Sequence, residues 1–183
     1  IWKISEQELR LRNALYLEWT LMKDELQEIL DRCSEEMNDI ESRIQCLPPT
    51  DKGKSYLTQY ALIKASGTAE YVYRSIVADH FSHLENSRID TFLDSTIRQG
   101  SMSATYDNMC KLLAKFDQKW SETFKTMVQS RSDNKKLIDA SKSLVNNRHL
   151  FAHGKSPTAT FLEIRQYFDG VKELIKILDT VVE

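Results

Sequence analysis

The chain has 183 residues, of which 41% are hydrophobic and 28% charged, and its 25 Lys and Arg nearly balance its 27 Asp and Glu. These values are typical of a soluble globular protein, so we expect a single domain over residues 1–183. They exclude a membrane-spanning helix, because no stretch of about 18 uncharged apolar residues occurs. No apolar segment near the start marks a secretory signal. The sequence lacks a starting Met and is compatible with one domain of a longer chain.

The three cysteines, Cys33, Cys46 and Cys110, are odd in number and share no motif spacing. This argues against a disulfide framework and favours a protein of the reducing cytoplasm. Glycine and proline are also scarce, with five and three residues. Strand-rich folds need a turn about every 8–12 residues, usually with Gly, Pro, Asn or Asp, so the sequence predicts an all-α protein.

The first predicted helix covers residues 5–46 and ends before Pro48-Pro49. It carries 11 acidic and 5 basic residues, a net charge of −6. One apolar stripe at helical spacing runs along it: Leu15, Met22, Leu26, Ile29, Cys33, Met37, Ile40 and Ile44.

The second predicted helix covers residues 54–81 and is apolar on almost every side, which is typical of a central helix. Gly67 inside it costs about 1 kcal/mol relative to Ala unless another group approaches closely there. Glu70 and Arg74 fall within its apolar stripe. They are four residues apart and could pair with each other, or Glu70 could meet Arg148 across the bundle.

In the rest of the chain, the apolar spacing predicts a short helix within 83–103 that ends at Gly100. It then predicts a long third helix over 104–130 and a fourth over 134–153. We expect Asp133 to cap the fourth helix and Gly154 to close it.

A capping box of Thr160 and Glu163 predicts the start of a fifth helix, whose apolar face continues to Val182. The fold class is therefore an up-and-down helical bundle of about five main helices with a long N-terminal helix.

Charge is uneven, because residues 131–155 hold six basic and two acidic residues, a net charge of +4. A basic strip of this kind attracts a polyanion. The alternative is an ordinary solvated helix face.

The fourth helix places a charged residue among its core positions. At about 100° per residue, Arg148 falls in the middle of the arc formed by Leu137, Leu144 and Val145. A guanidinium cannot lose its charge, so burying it without a partner costs several kcal/mol. His149 and His153 lie at the edge of the same arc, four residues apart.

The segment Asn147–Gly154, NRHLFAHG, resembles the Arg-x4–6-His signature of HEPN-domain proteins, with His149 after the arginine. As in that family, the motif lies late in a helical bundle, just before the closing helix. The run Ala65–Glu70, ASGTAE, is similar to the RiboL-PSP-like branch. The resemblance implies a HEPN-like fold over the whole chain.

The resemblance also implies a metal-independent endoribonuclease without a cofactor, which cleaves RNA by attack of the 2′-hydroxyl. Arg148 would stabilise the charged transition state and His153 would act as general base or acid. His149 would be a supporting donor or a second proton-transfer group, and Glu70 would orient Arg148 or an imidazole. The other candidate supporting or substrate-binding residues are Arg74, Asn147 and Lys155.

HEPN nucleases are generally dimers with two facing motifs, so the resemblance implies a homodimer that binds RNA. It further implies a toxin or antiphage-defence effector under an antitoxin, another regulatory protein or a fused domain. We expect no membrane partner, because the sequence has no long apolar stretch.

Two alternatives stay open: a non-catalytic HEPN-like module that binds RNA or nucleotide, and an interaction protein that uses its long first helix. A metal site of His80, His83, Asp79 and Glu85 is disfavoured, because no Cys lies near and no three-ligand catalytic set is evident. We interpret the aromatic residues, which sit at core spacing, as packing residues rather than base-stacking platforms.

Overall fold

The computed structural model describes residues 6–81 and 86–182, with side chains from residue 24 onward. The described residues contain seven α-helices and no strand, which confirms the predicted all-α bundle. The helices are α1 (Glu6–Cys46), α2 (Gly53–Asp79), α3 (Ser87–Leu93), α4 (Tyr106–Phe116), α5 (Gln118–Gln129), α6 (Asn134–Ala152) and α7 (Phe161–Val182). None of them is long and apolar enough to cross a membrane.

Where side chains are described, the predicted stripe of α1 faces the bundle, although Ile29 and Ile44 are only partly buried. Leu30, which was not part of the predicted stripe, is buried as well. Leu30, Cys33 and Met37 are almost fully buried against the rest of the bundle. Ser5 and the side chains of Leu15 and Met22 lie outside the described residues. The helix ends at Cys46, where Pro48 and Pro49 cannot supply the backbone N–H groups that a continuing helix needs.

Helix α2 is central, as predicted, and packs against α1, α6 and α7. Tyr73 in its middle is fully buried and donates its hydroxyl to the carbonyl of Met102 at 2.8 Å. The prediction of apolar packing on every side is wrong for one face, where Tyr56, Tyr60 and Ile63 are exposed.

The short helix predicted before Gly100 is α3 followed by a π-helical turn, Asp94–Arg98. The side chain of Asn86 caps α3 by accepting backbone N–H bonds. Residues 83–85 of the predicted segment lie outside the described residues.

The predicted third helix is wrong in one respect, because Asp117 divides it into α4 and α5. The backbone of Asp117 is extended, with φ −148° and ψ 122°. Its carboxylate accepts the N–H of Lys119 at 2.7 Å and so caps α5. The buried hydroxyl of Ser121 donates to the carbonyl of Cys110 at 3.0 Å and ties the two helices together. Apolar spacing continues through the break, so the pattern alone did not reveal it.

Helix α6, which carries the motif, packs closely on α7. A Cβ placed on Gly170 would lie 2.7 Å from the Cβ of Ala140, so glycine is needed at this contact. The predicted capping box of α7 is present, because Glu163 accepts the backbone N–H of Thr160 at 2.8 Å and Thr160 accepts that of Glu163.

The predicted cap of α6 by Asp133 is absent. The carboxylate of Asp133 is instead bound by the guanidinium of Arg131, at 2.8 and 3.0 Å. A charged partner two residues away competes successfully with the weaker backbone cap.

Candidate functional site

The candidate site is built around an ion pair between α2 and α6. Arg148 Nη2 lies 3.7 Å from Glu70 Oε2, and the side chains are 35% and 12% exposed. Of the two pairings that the sequence left open for Glu70, the structure has the one across the bundle. Arg148 therefore lies at the boundary of interior and solvent, with its charge held by a buried carboxylate.

The buried position of Glu70 disfavours the charged form of its carboxyl group. Burial raises the pKa of its carboxyl, although the charges of Arg148, Arg74 and His149 lower it. Its Oε1 atom is buried without a hydrogen-bond partner. Arg74 donates Nε–H to the backbone carbonyl of Glu70 at 2.7 Å. Glu70 is therefore placed to hold Arg148 from inside the bundle, and Arg74 supports the turn that carries it.

Two exposed imidazoles occupy the end of α6. The rings of His149 and His153 are nearly parallel, with centroids 6.5 Å apart. The helix ends in a Schellman-type turn, in which Lys155 N–H donates to the carbonyl of Leu150 at 2.9 Å. Gly154 follows His153 with a φ of +71°, as its predicted closing role requires. This turn fixes where His153 leaves the helix.

Asn147 faces inward and holds the loop that follows the motif. Its Oδ1 accepts the backbone N–H groups of Thr158 and Ala159, both at 3.0 Å. Its Nδ2 donates to the carbonyl of Ser143 at 2.9 Å. With its amide used in this way, Asn147 supports the site as a clamp between α6 and the loop before α7. No sequence pattern indicates this clamp, since the partners of Asn147 are backbone groups.

The basic strip is partly neutralised. Arg131 binds Asp133 and lies 3.4 Å from Glu173, and Lys142 Nζ lies 4.0 Å from a carboxylate oxygen of Asp107. Lys135 and Lys155 are exposed. At about 100° per residue, Lys135, Lys142, His149 and His153 fall on one exposed side of α6.

Among the described residues, no group of three or more His, Cys, Asp or Glu side chains could hold a metal ion. His83 and Glu85, half of the set considered from the sequence, lie outside those residues. The ring of His80 packs edge-on against Phe81 and Trp120.

The structure brings Glu70, Arg148 and His149 together, and it places His149 beside His153. It does not put Arg148 and His153 on one face of α6, because five residues turn a helix by about 140°. A close approach that would explain Gly67 is absent within the protomer, since no atom lies within 4 Å of a Cβ placed there. Sequence reasoning missed the exposed face of α2. This face could have been found from a second apolar stripe on α2, which consists of Tyr56, Tyr60 and Ile63. A helix with one buried face cannot bury two such stripes.

Comparison with known proteins identifies the family of the chain. No curated protein and no solved structure matches the chain significantly. A family model described as RiboL-PSP-HEPN matches residues 24–183. The match covers α2, with Glu70, and α6, with the Arg-x4-His segment, and most of the remaining bundle. The chain therefore belongs to the HEPN-domain family, in its RiboL-PSP branch.

Proposed function

We propose that this protein is a metal-independent endoribonuclease, with Arg148 and His153 as its catalytic residues. The observation that carries the proposal is the half-buried guanidinium of Arg148, which is held by Glu70 on a helix that ends with the exposed His149 and His153, in a chain of the HEPN family. A guanidinium that is fixed from behind and open in front suits a phosphate group, since it can donate two parallel hydrogen bonds.

In the proposed reaction the 2′-hydroxyl of RNA loses its proton to an imidazole while its oxygen bonds to the adjacent phosphorus. The bond from phosphorus to the 5′-oxygen breaks, and that oxygen takes a proton from a second acid. The products carry a 2′,3′-cyclic phosphate and a 5′-hydroxyl. Arg148 stabilises the negative charge that develops on the non-bridging oxygens. Histidine suits both proton transfers, because its unperturbed pKa lies near 6.5.

The remaining residues have supporting roles in this proposal. Glu70 orients Arg148, and His149 is a further donor or the second proton-transfer group. Lys155 contacts a phosphate next to the cleaved one, and the exposed side of α6 with Lys135 and Lys142 provides further phosphate contacts. Because Arg148 and His153 leave α6 about 140° apart, one protomer does not offer both to one phosphate. The proposal therefore includes a homodimer.

The biological role that we propose is that of a toxin or defence effector in the cytoplasm. An unregulated ribonuclease would damage its own cell. We therefore expect an antitoxin, another regulatory protein or a fused domain to control it.

The test is incubation of the purified protein with mixed RNA in EDTA. We expect cleavage with cyclic-phosphate ends, and a loss of rate of about 10²–10⁴-fold in Arg148→Ala and His153→Ala. Arg88→Ala, an exposed arginine on α3, is the matched control and should cleave normally. A substrate with deoxyribose at the cut site should not react. Cleavage that persists in both motif variants, or on deoxyribose, would contradict the proposal.

A non-catalytic module that binds RNA is the second candidate. The separation of Arg148 and His153 around α6 favours it, since binding does not require both groups at one phosphate. Under this alternative, RNA binds tightly without cleavage, and the Arg148→Ala variant loses binding. An interaction module, with neither activity, would associate through α1 instead.

A further inference from the structure

The outer face of α2 carries large side chains that the bundle leaves uncovered. Tyr56, Tyr60 and Ile63 are 66%, 49% and 41% exposed. Together with Gly67 and Arg74 they follow spacings of 4, 3, 4 and 7 residues, which keeps all five within about 60° of arc. We call these five residues the outer face of α2. Exposed apolar side chains grouped on one helix face, with Tyr71 at its edge 44% exposed, are typical of an interaction site.

Gly67 lies in the middle of this face. In the interior of a helix glycine costs about 1 kcal/mol relative to alanine. No atom of the protomer lies within 4 Å of a Cβ placed at Gly67, so packing within the protomer does not require glycine there. The missing side chain of Gly67 leaves a shallow notch among the neighbouring tyrosine, isoleucine and arginine side chains. A second helix that packs closely against α2 would need such a notch.

The outer face of α2 is complementary to itself. If two copies of α2 pack antiparallel, so that facing residue numbers add to about 130, Ile63 of each copy lies opposite Gly67 of the other. In the same register Tyr56 lies opposite Arg74, where a guanidinium can stack on an aromatic ring. Both contacts occur twice, as a two-fold axis requires. A parallel pairing would instead oppose Arg74 to Arg74 and leave both notches empty.

We propose that the outer face of α2 is a self-association surface, on which two copies of this chain pair antiparallel with Ile63 of each seated over Gly67 of the other. RNA is a less suitable occupant, because the cations that border this face, Lys64 and Arg148, are already paired with carboxylates. Tyr60 donates its hydroxyl to Glu36, which also binds Lys64 at 2.8 Å, and Glu70 lies on the opposite border. Ile63 and the tyrosine rings offer a phosphate group no positive charge.

The pairing also determines where the two copies of the Arg-x4-His segment on α6 lie relative to each other. What this means for activity rests on the proposed function. A two-fold axis between antiparallel helices keeps both copies of α6 on one side of the contact and both acidic α1 helices on the other. Arg148 lies level with Glu70, and Ser156 and Pro157 share a groove with Thr58 and Gln59, so α6 runs antiparallel to α2 here.

From Arg148 to His153 the chain advances about 7.5 Å along α6, and the same distance along α2 leads from Glu70 to residue 65. Residue 65 is the centre of the proposed register. The two copies of His153 would therefore lie level with the two-fold axis, on the same side of the contact.

The first test measures oligomeric state by sedimentation over about 1–100 μM protein. The wild-type chain should be dimeric. Gly67→Gln should fold at least as stably, because glutamine has a much better helix propensity, but should raise the dimer dissociation constant by at least about 30-fold, which is the effect of a hot-spot residue. Ala114→Gln, at an exposed position of α4, is the matched control and should remain dimeric.

The second test addresses the register. In a Cys46→Ser background, which removes the exposed native thiol, mixing Ile63→Cys with Gly67→Cys should give a disulfide-linked heterodimer in preference to either homodimer. Preferred linkage within Gly67→Cys alone would overturn the antiparallel register.

Other outcomes are also decisive. A monomeric wild-type chain, or a dimer that Gly67→Gln leaves intact, would overturn the proposal. So would tyrosine variants of the outer face that lose RNA binding without any change in association. If a monomeric chain cleaves RNA, this surface is wrong and the proposed function survives. If the dimer forms as described and does not cleave, the surface survives and the proposed function fails.

Discussion

The clamp formed by Asn147 allows a quantitative prediction. In Asn147→Ala, the backbone N–H groups of Thr158 and Ala159 lose the acceptor that they share at 3.0 Å, and the carbonyl of Ser143 loses a donor at 2.9 Å. A hydrogen bond contributes about 1 kcal/mol net, and more when a buried group is left without a partner. We therefore expect a loss of about 3 kcal/mol in the free energy of unfolding, or about 6–12 °C in Tm for a chain of this size.

Chemical denaturation of the wild-type chain, Asn147→Ala and Asn146→Ala measures this effect. Asn146 is the exposed neighbour of Asn147, so its substitution should change stability by no more than about 0.5 kcal/mol. Hydrogen exchange provides the local readout, because the amides of Thr158 and Ala159 should lose protection in Asn147→Ala alone. Equal stability of the two variants, or unchanged protection at both amides, would refute the assignment of Asn147 as a clamp.

Three further predictions concern stability. Burial raises the pKa of Glu70 in the folded state, so between the ordinary carboxyl pKa and the raised one the folded chain holds a proton that the unfolded chain has lost, and stability from this group falls as pH rises. Glu70→Gln should therefore be more stable than the wild-type chain at pH 7, and this advantage should shrink as pH falls from the raised pKa toward the ordinary value of 4.5 and be absent below it; an advantage that grows toward acid pH would show the opposite shift. Gly154 has a φ of +71° and open space around its Cβ position, so Gly154→Ala should lose about 1 kcal/mol through the backbone alone and Gly154→Asn less; equal losses would argue against the left-handed turn. Asp117→Ala should cost about 1 kcal/mol by removing the cap of α5, whereas Gln118→Ala next to it should be nearly neutral, and calorimetry of both variants checks this.

The sequence by itself determined the helical class and most helix ends, because these depend on local chemistry. The stripe of α1, the stop at Pro48-Pro49, the turn at Gly154 and the capping box of Thr160 and Glu163 each involve residues within one or two helical turns. The position of Arg148 within the apolar arc of α6 was also readable, since the helix period alone places it there.

Only the tertiary structure decided which distant groups meet. The division at Asp117 arises because its carboxylate caps α5 while Ser121 anchors α5 to α4, and an apolar spacing that continues through both helices conceals it. The choice of Arg148 as the partner of Glu70 depends on how α6 lies against α2. Likewise, whether a stripe on α2 faces protein or solvent depends on how many helices surround it, which no local pattern records. The helix period fixes the direction of each side chain from its own axis, and the packing of the helices fixes what it meets.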